Sequence, residues 1–400
     1  MKDFLLWKNA KSIFYMASIA ATWIWTPAIF TSSEKAYFSG VNGFLMFLIP
    51  NVLTLVIFAF FAEMVRKKTD GFTLSDVIRS AGSRQRNLHL SISMVILICS
   101  TCVQLLGLHT LFSAWGNIPK GASALIVCVA AFLMVGKSGI KGSIKTDFVK
   151  YVIMLAGGLI LLFVTIFNAD GVRLEGVEPV GFWQLMGTFG VSTMIGLLSA
   201  PYVDQTFWQR AFSIEKGDIR KTFIGSALLF AIIPTIFGLI GFFSSGDTSW
   251  NIATAFNGTI PNAILAVCVL CALISTLDSN LCAISSIVCA DMKQSIAIGR
   301  LSMILLLALG SAVMVFTNIG ITDMFLIYGT IRTCAALPTI LIILGRYNAN
   351  RLFWATLTAV LVAPAGYIVS TDYKWLFTLL ALVIPAIGIA NKRRSNCEIC

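Results

Sequence analysis

Apolar stretches close to the length that crosses a bilayer follow one another along this chain, and they constrain the fold more than any single motif. Only 12% of the residues are charged and 58% are hydrophobic, far from the charged quarter that is usual in soluble domains. We therefore predict a single all-α polytopic membrane domain over residues 1–400, with about twelve transmembrane helices. The predicted spans are approximately 13–33, 41–64, 90–114, 122–137, 148–168, 183–203, 221–243, 262–290, 301–318, 322–345, 352–370 and 375–391.

Basic residues are distributed unevenly between the two sets of alternate loops. Of the 29 Lys and Arg residues, 24 fall in the set that begins with the N-terminus and 4 in the opposite set. The first set includes the predicted loops at residues 137–150 and 210–221, with four basic residues each. The positive-inside rule then predicts cytoplasmic termini and a location in the plasma (inner) membrane. The asymmetry accounts for the net charge of +11, so no nucleic-acid partner is expected.

Hydroxyl and carboxylate groups cluster in the middle of predicted span 8. Ser275, Asp278 and Ser279 lie at helical spacing and share one face, and Thr276 flanks them. An ionisable group at bilayer depth is costly and is found mainly where it lines a pathway or holds a cation. Oxygen ligands suit a hard cation such as Na⁺. Alternatively, the hydroxyls only bond carbonyls of their own helix.

Helix breakers interrupt two spans that stand five helices apart. Span 1 contains Pro27 after a polar run, and span 6 combines Gly190, Thr193 and Gly196 with a Ser-Ala-Pro run ending at Pro201. Interrupted helices at matching places in two halves indicate an inverted-repeat transporter with its site between them. The alternative is that each proline only kinks a packed helix.

An interruption in span 1 would free backbone carbonyls for ion binding. Residues that leave the helix near Ala20 and Trp23 expose oxygens that protein, water or an ion must satisfy. These oxygens could complete a cation shell begun by span 8. Binding an ion there would hold the two helices together and could couple its gradient to solute capture.

Five motifs stand in order along the chain. They are Ala17-Ser18-x-Ala20-Ala21-Thr22-Trp23 in span 1, Thr73-Leu-Ser-Asp76 after span 2, Lys137-Ser-Gly139-Ile-Lys-Gly-x-x-Lys-Thr146-Asp147 entering span 5, Asp204-Gln205-x-x-Trp208-Gln209-Arg210 after span 6, and Ser275-Thr276-Leu277 through Asp291 in span 8. With these motifs the chain resembles the sodium:solute symporter family, which includes sodium/glucose, sodium/proline, pantothenate and sialic acid carriers. The similarity covers about residues 10–345.

This resemblance implies a leucine-transporter-like fold with interrupted helices 1 and 6. Residues 10–168 would form the first repeat, 183–345 the inverted second repeat, and 352–391 two peripheral helices. Many relatives have a further helix before the first interrupted one. This chain is expected to lack that helix, because span 1 begins close to its first residue.

The resemblance also implies sodium as the coupling ion. The main site would use the carbonyls of Ala20, Trp23 and Ala272 with the hydroxyls of Ser275 and Thr276. A second site, present in some relatives, would correspond to Ser275, Asp278, Ser279 and Asp147. Asp278 stands where relatives often have a small hydroxyl residue, so it could strengthen cation binding, introduce proton coupling or form a salt bridge.

Aromatic and hydroxyl residues predict the solute cavity between spans 1 and 6. We expect it to be lined by Trp23, Trp25, Thr26, Phe189 and Thr193, a combination that suits a small polar solute. The Trp-Ile-Trp-Thr-Pro run resembles span 1 of the family's urea carriers.

Arg332 is predicted near the middle of span 10, where an unpaired guanidinium would be very costly. It could bind an anionic group of the solute, or it could pair with Asp278 and be structural.

We therefore predict a sodium-coupled symporter that imports a small polar organic solute by alternating access. A proton-coupled transporter of the same fold and a transporter-like sensor are the alternatives.

Other classes of function are not expected from this sequence. The longest polar loop, near residues 65–88, is too short for a signalling domain, and the chain lacks the residues of an enzyme site. No obligatory protein partner is inferred. The C-terminal run from Cys397 to Cys400 is a poor match to a prenylation motif.

Overall fold

The computed structural model describes residues 2–8, 10–116, 118–169, 171–178, 180–246, 250–370 and 372–390. The C-terminal cysteines and the basic residues after 390 that entered the loop count lie outside the described residues.

Helices account for almost all of the described chain. In order they are α1 (Lys2–Leu5), α2 (Ser12–Trp23), α3 (Thr26–Lys68), α4 (Leu74–Val77), α5 (Gly82–Trp115), α6 (Lys120–Val135), α7 (Ile140–Phe167), α8 (Phe182–Leu185), α9 (Val191–Val203), α10 (Gln205–Ser213), α11 (Ile219–Phe243), α12 (Thr259–Ser286), α13 (Ile296–Phe316), α14 (Ile321–Leu344), α15 (Ala349–Val369) and α16 (Lys374–Val383). Within the described residues, strand-type pairing is limited to an isolated bridge between Tyr347 and Ile389.

Nine helical segments of the described chain are long and apolar enough to cross a membrane, and three shorter apolar helices accompany them. The prediction of an all-α multi-pass membrane protein is confirmed. The number of twelve spans stays a prediction, because α2, α6 and α16 are short and α3 joins predicted spans 1 and 2.

Polarity is distributed as expected for a protein surrounded by lipid. Large apolar side chains such as Leu125, Leu133 and Phe316 are 66–86% exposed, whereas Asp147 and Asp278 are fully buried. Apolar groups contact lipid at no cost, while charged groups are retained inside where partners can satisfy them. The polar centre of the molecule therefore holds the candidate functional groups.

Span 1 is interrupted where the sequence predicts. Helix α2 ends at Trp23 and α3 begins at Thr26, with Pro27 in the first turn of α3, where its missing N–H costs nothing. Further along, α3 bends at Gly40, which has a φ of +63°, and a Cβ added there would lie 2.3 Å from the carbonyl oxygen of Leu174. Only glycine combines this backbone conformation with so close an approach.

Span 6 is helical over its predicted length and ends at Val203. The Ser199-Ala200-Pro201 run does not interrupt it, because α9 continues through Pro201. A π-helical turn at Met186–Gly190 precedes α9, so the glycine region is also helical. The backbone leaves the helix at Asp204, whose carboxylate accepts a hydrogen bond from the backbone N–H of Thr206 at 3.1 Å and begins α10. The N-cap residue of α10, three residues after a tolerated proline, thus marks the end of α9.

Candidate functional site

The gap between α2 and α3 is closed by a side chain of α5. The carbonyl of Ala20 accepts a bond from the N–H of Ile24 at 2.7 Å, which ends α2. At the start of α3, the N–H and hydroxyl of Thr26 both donate to Oε1 of Gln104, at 2.9 and 2.8 Å. The amide of Gln104 therefore caps α3, and the hydroxyl of Thr26, which we predicted to face the solute, is used in this cap.

Helix α12 lies against the end of α2 with its polar face. The hydroxyl of Thr276 donates to the carbonyl of Thr22 at 3.1 Å, and it also lies 3.3 Å from the carbonyl of Ala272. The hydroxyls of Thr22 and Ser279 are 2.8 Å apart. The structure thus brings the end of α2 and residues 272–279 of α12 within hydrogen-bonding distance, and all five residues predicted for the main sodium site are buried.

Four charged side chains form a buried cluster beside this contact. They are Asp147 and Lys150 of α7, Arg210 of α10 and Asp278 of α12, with exposed side-chain fractions of 0–7%. Lys150 forms ion pairs with Asp278 and, at 3.3 Å, with Asp147. Arg210 pairs with the other oxygen of Asp147 at 3.3 Å. Two carboxylates are therefore neutralised by two cations of the protein.

Serine hydroxyls connect the charges of this cluster. Ser18 donates to Asp147 Oδ2 at 2.6 Å, Ser275 donates to Asp147 Oδ1 at 2.7 Å, and Ser143 donates to Asp278 Oδ1 at 2.8 Å. Arg210 also donates to Ser279 at 2.6 Å. Elements α2, α7, α10 and α12 are thus tied together by one continuous polar network.

Lys150 and Arg210 are the two cluster residues whose burial the sequence does not reveal. The loop ranges of the charge count include both, but the structure places Lys150 inside α7 and Arg210 in the buried helix α10. A local signal did exist for Lys150, because it follows Asp147 by three residues and so shares its helix face. The 24 to 4 charge count therefore includes both cations of this buried cluster.

Helix α10 is held in place from the end of α3. The guanidinium of Arg66 donates to the carbonyls of Ala211 and Ile214, at 3.0 and 3.5 Å. Outside the helices, Lys216 and Arg66 hydrogen-bond to Asp70 and lower the pKa of its carboxyl to about 2. These contacts fix the C-terminal end of α10 and so help to position Arg210.

The predicted pairing of Arg332 with Asp278 is wrong. Arg332 Nη2 donates to Asp204 Oδ2 at 2.8 Å, and both side chains are at most 5% exposed. Asp204 is available because α9 ends there, whereas Asp278 is engaged by Lys150. The guanidinium of Arg332 is therefore neutralised by a carboxylate at the end of α9.

Aromatic rings surround the guanidinium of Arg332. Its Cζ lies 4.0 Å from the ring centroid of Tyr328, 5.6 Å from Trp25 and 6.0 Å from Trp23. The two tryptophan rings stack with centroids 5.6 Å apart, and Phe325 meets Trp25 edge to face. We call the set of Trp23, Trp25, Tyr328 and Arg332 the aromatic cluster.

Several donors of the aromatic cluster are buried without a protein partner. Within the described part of the chain, Trp25 Nε1 and Arg332 Nε and Nη1 make no hydrogen bond. The Trp23 Nε1–H, in contrast, donates to the carbonyl of Asn51 at 3.3 Å. Buried donors without a partner are costly, so this group is suited to a ligand that offers acceptors.

Phe189 and Thr193, which are predicted to line the cavity, both lie in span 6 before Asp204. The ring of Phe189, in the π-helical turn, lies under the ammonium of Lys35 at 4.5 Å from the ring centroid. Thr193 of α9 is fully buried, and its hydroxyl has no hydrogen-bond partner among the described residues. Phe189 therefore contacts a charged residue of α3, while Thr193 remains a candidate donor.

The described residues form an all-helical multi-pass membrane protein with a charged, buried centre. The model of the sodium:solute symporter family matches residues 8–178, which confirms the predicted resemblance to that family. A solved structure of a Na⁺-coupled sialic acid symporter in a substrate-bound outward-open state has the same fold, with a TM-score of 0.79 and 17% identity, over 97% of this chain and 91% of that chain.

Curated relatives include urea carriers. A probable urea active transporter of Schizosaccharomyces pombe is 22% identical over 56% of this chain and 38% of its own length. A urea-proton symporter of Oryza sativa subsp. japonica is 19% identical over 64% of this chain and 41% of its own length. The chain thus spans about two fifths of the length of these relatives. The matched family and relatives are transporters, not enzymes.

Proposed function

We propose that this chain is a sodium-coupled symporter that imports a small, uncharged polar solute across the plasma membrane by alternating access. The observation that carries this proposal is the contact between the end of α2 and the hydroxyl face of α12. It joins an interrupted helix to oxygen ligands deep in the molecule, which is the arrangement that an inverted-repeat transporter needs.

Hydrogen-bond directions at this contact favour a cation. The hydroxyl hydrogens of Ser275 and Thr276 are directed to Asp147 and to the carbonyl of Thr22. Their remaining lone pairs are therefore free to accept. The carbonyl of Ala20 accepts a hydrogen bond from Ile24 N–H, but a carbonyl oxygen has two lone pairs, so the carbonyls of Ala20, Trp23 and Ala272 can each offer one to an ion. Five such oxygens suit a dehydrated Na⁺. Sodium would hold α2 against α12 and so favour one conformation of the carrier.

Proton coupling is the second candidate, and one observation favours it. The buried cluster of Asp147, Lys150, Arg210 and Asp278 contains titratable groups at membrane depth, where such groups often relay protons. A relative named as a urea-proton symporter adds to this candidate.

The aromatic cluster supports an uncharged solute with a carbonyl acceptor, of the urea class. Asp204 already neutralises Arg332, so an anionic solute would add an unbalanced charge in a buried place. A neutral amide can instead accept hydrogen bonds from Arg332 and Trp25 while its plane packs against the rings.

Uptake by the full chain in proteoliposomes tests this function. We expect an inward sodium gradient to drive accumulation of radiolabelled urea or a similar amide. The Ser275→Ala/Thr276→Ala variant should raise the sodium concentration for half-maximal uptake at least several-fold. Ser226→Ala is the matched control, because its hydroxyl only bonds the carbonyl of Thr222 in α11.

The other outcomes of this assay separate the alternatives. Uptake that follows a pH gradient and ignores sodium would establish the proton-coupled candidate. Competition by acetamide but not by acetate would support a neutral solute, since the two have nearly the same shape and differ in charge. Specific binding without any uptake would point to a sensor.

A further inference from the structure

Lys150 lies among the residues that the family resemblance assigns to a second sodium ion. Those residues are Asp147, Asp278, Ser275 and Ser279. The ammonium of Lys150 bonds to both carboxylates, and Arg210 Nη2 bonds to Asp147 and to Ser279. The hydroxyl of Ser275 donates to Asp147. Every predicted ligand of this second site is thus engaged by another group of the protein.

The charge balance of the cluster excludes a further cation. Asp147 and Asp278 carry two negative charges, and Lys150 and Arg210 carry two positive charges within 3.3 Å of them. A sodium ion would add a net positive charge to a place that is at most 7% exposed, where like charges repel strongly. The second sodium site of the resemblance therefore does not match the residues that are present.

We infer that Lys150 is a tethered counter-cation that replaces the second ion, so that the cycle uses no mobile cation at this position. The inference rests on the proposed transport function but concerns the two carboxylates, Asp147 and Asp278, which are not ligands of the sodium-binding contact; the two places share Ser275. In a carrier with two sodium sites, the second ion would link α7 to α12 only when it is bound. Here the ammonium of Lys150 makes this link in every state in which it stays charged.

Removing the ammonium should restore a cation requirement. In Lys150→Gln, Asp278 loses its ion-pair partner, and the cluster is left with one net negative charge among carboxylate and hydroxyl oxygens. Such a group of oxygens favours a hard monovalent cation. We therefore expect this variant to gain a sodium site that the parent chain lacks.

Radioactive ²²Na⁺ binding to the purified full chain counts the sites directly. The expected result is one more sodium ion bound per chain in Lys150→Gln than in the parent. The matched control is Lys141→Gln, which removes an exposed lysine from the same helix and should leave the count unchanged. Lys150→Arg keeps the charge and should also leave it unchanged.

A second variant keeps the test decisive if Lys150→Gln folds poorly in the absence of salt. Lys150→Gln/Asp278→Asn removes one charge of each sign, so it should fold without sodium and bind no additional ion. Sodium, but not choline, should raise the melting temperature of Lys150→Gln more than that of the double variant. The inference would be overturned if the parent, Lys150→Gln and the double variant bound the same number of sodium ions per chain and showed the same rise in melting temperature on addition of sodium.

The result also distinguishes this inference from the proposed function. If the parent binds no sodium and Lys150→Gln binds one ion, sodium coupling at the α2–α12 contact is refuted while the role of Lys150 stands. If the parent binds one ion and Lys150→Gln still binds one, the transport proposal survives and the role of Lys150 is refuted.

Discussion

The pairing of Arg332 with Asp204 makes a quantitative prediction about stability. Their closest atoms are 2.8 Å apart, and the two side chains are only 3% and 5% exposed. Opposite charges about 4 Å apart attract by about 4 kcal/mol at the effective dielectric that best describes such sites. Removing one partner leaves the other buried without its counter-charge, which costs about 3–5 kcal/mol.

A double-mutant cycle measures this pairing. Arg332→Gln and Asp204→Asn should each lower the free energy of unfolding, and the double variant should recover about 1–3 kcal/mol relative to additive losses. Asparagine retains an oxygen that can accept the hydrogen bond from Thr206 N–H, so the start of α10 is preserved. Thermal or denaturant unfolding of the purified chain in detergent provides the measurement.

The combination of Arg332→Gln with Asp278→Asn is the matched control for the cycle. Asp278 pairs with Lys150 instead, so its effect should add to that of Arg332→Gln. Additive losses for Arg332 and Asp204, together with coupling between Arg332 and Asp278, would refute the arrangement of ion pairs described above.

Three further predictions concern the backbone and the topology. Gly40→Ala should greatly reduce the yield of folded protein, because residue 40 has a φ of +63° and the added Cβ would lie 2.3 Å from a carbonyl oxygen. The control is Gly217→Ala, which should be tolerated because the added Cβ would lie in open space. Gln104→Leu removes the acceptor for two donors of Thr26 and should cost about 1–3 kcal/mol per unsatisfied donor, measured by thermal unfolding. A cysteine at Gly217 should react only with reagents that reach the cytoplasm and one at Gly171 only with external reagents; the reverse pattern in intact cells would overturn the predicted orientation.

Hydropathy and helix breakers predicted most of the architecture. Lipid contact imposes the same requirement on every span, so apolar length alone identifies the helices. The interruption of span 1 was also predictable, since Pro27 cannot bond within a continuing helix. The proline run of span 6 was misleading because Pro201 is tolerated inside α9, and the helix ends only where Asp204 caps the next one.

The partners of the buried charges could not be predicted from the sequence. Asp278 and Arg332 were both identified as charges at membrane depth, but their true partners, Lys150 and Asp204, lie 128 residues away from each of them. Both partners stand near predicted span ends, where a charge is normally solvated. Only the packing of α7 against α12 and of α9 against α14 shows that these residues are inside.

The ratio of sodium ions to solute molecules tests the central proposal most directly. Vesicles containing the full chain are loaded without sodium, and an inward gradient of the transported amide is imposed while ²²Na⁺ entry and internal pH are recorded. The proposed mechanism predicts that the solute gradient drives sodium inward at one ion per solute molecule, with no accompanying proton movement. Solute entry without sodium entry, or entry accompanied by acidification of the interior, would contradict it.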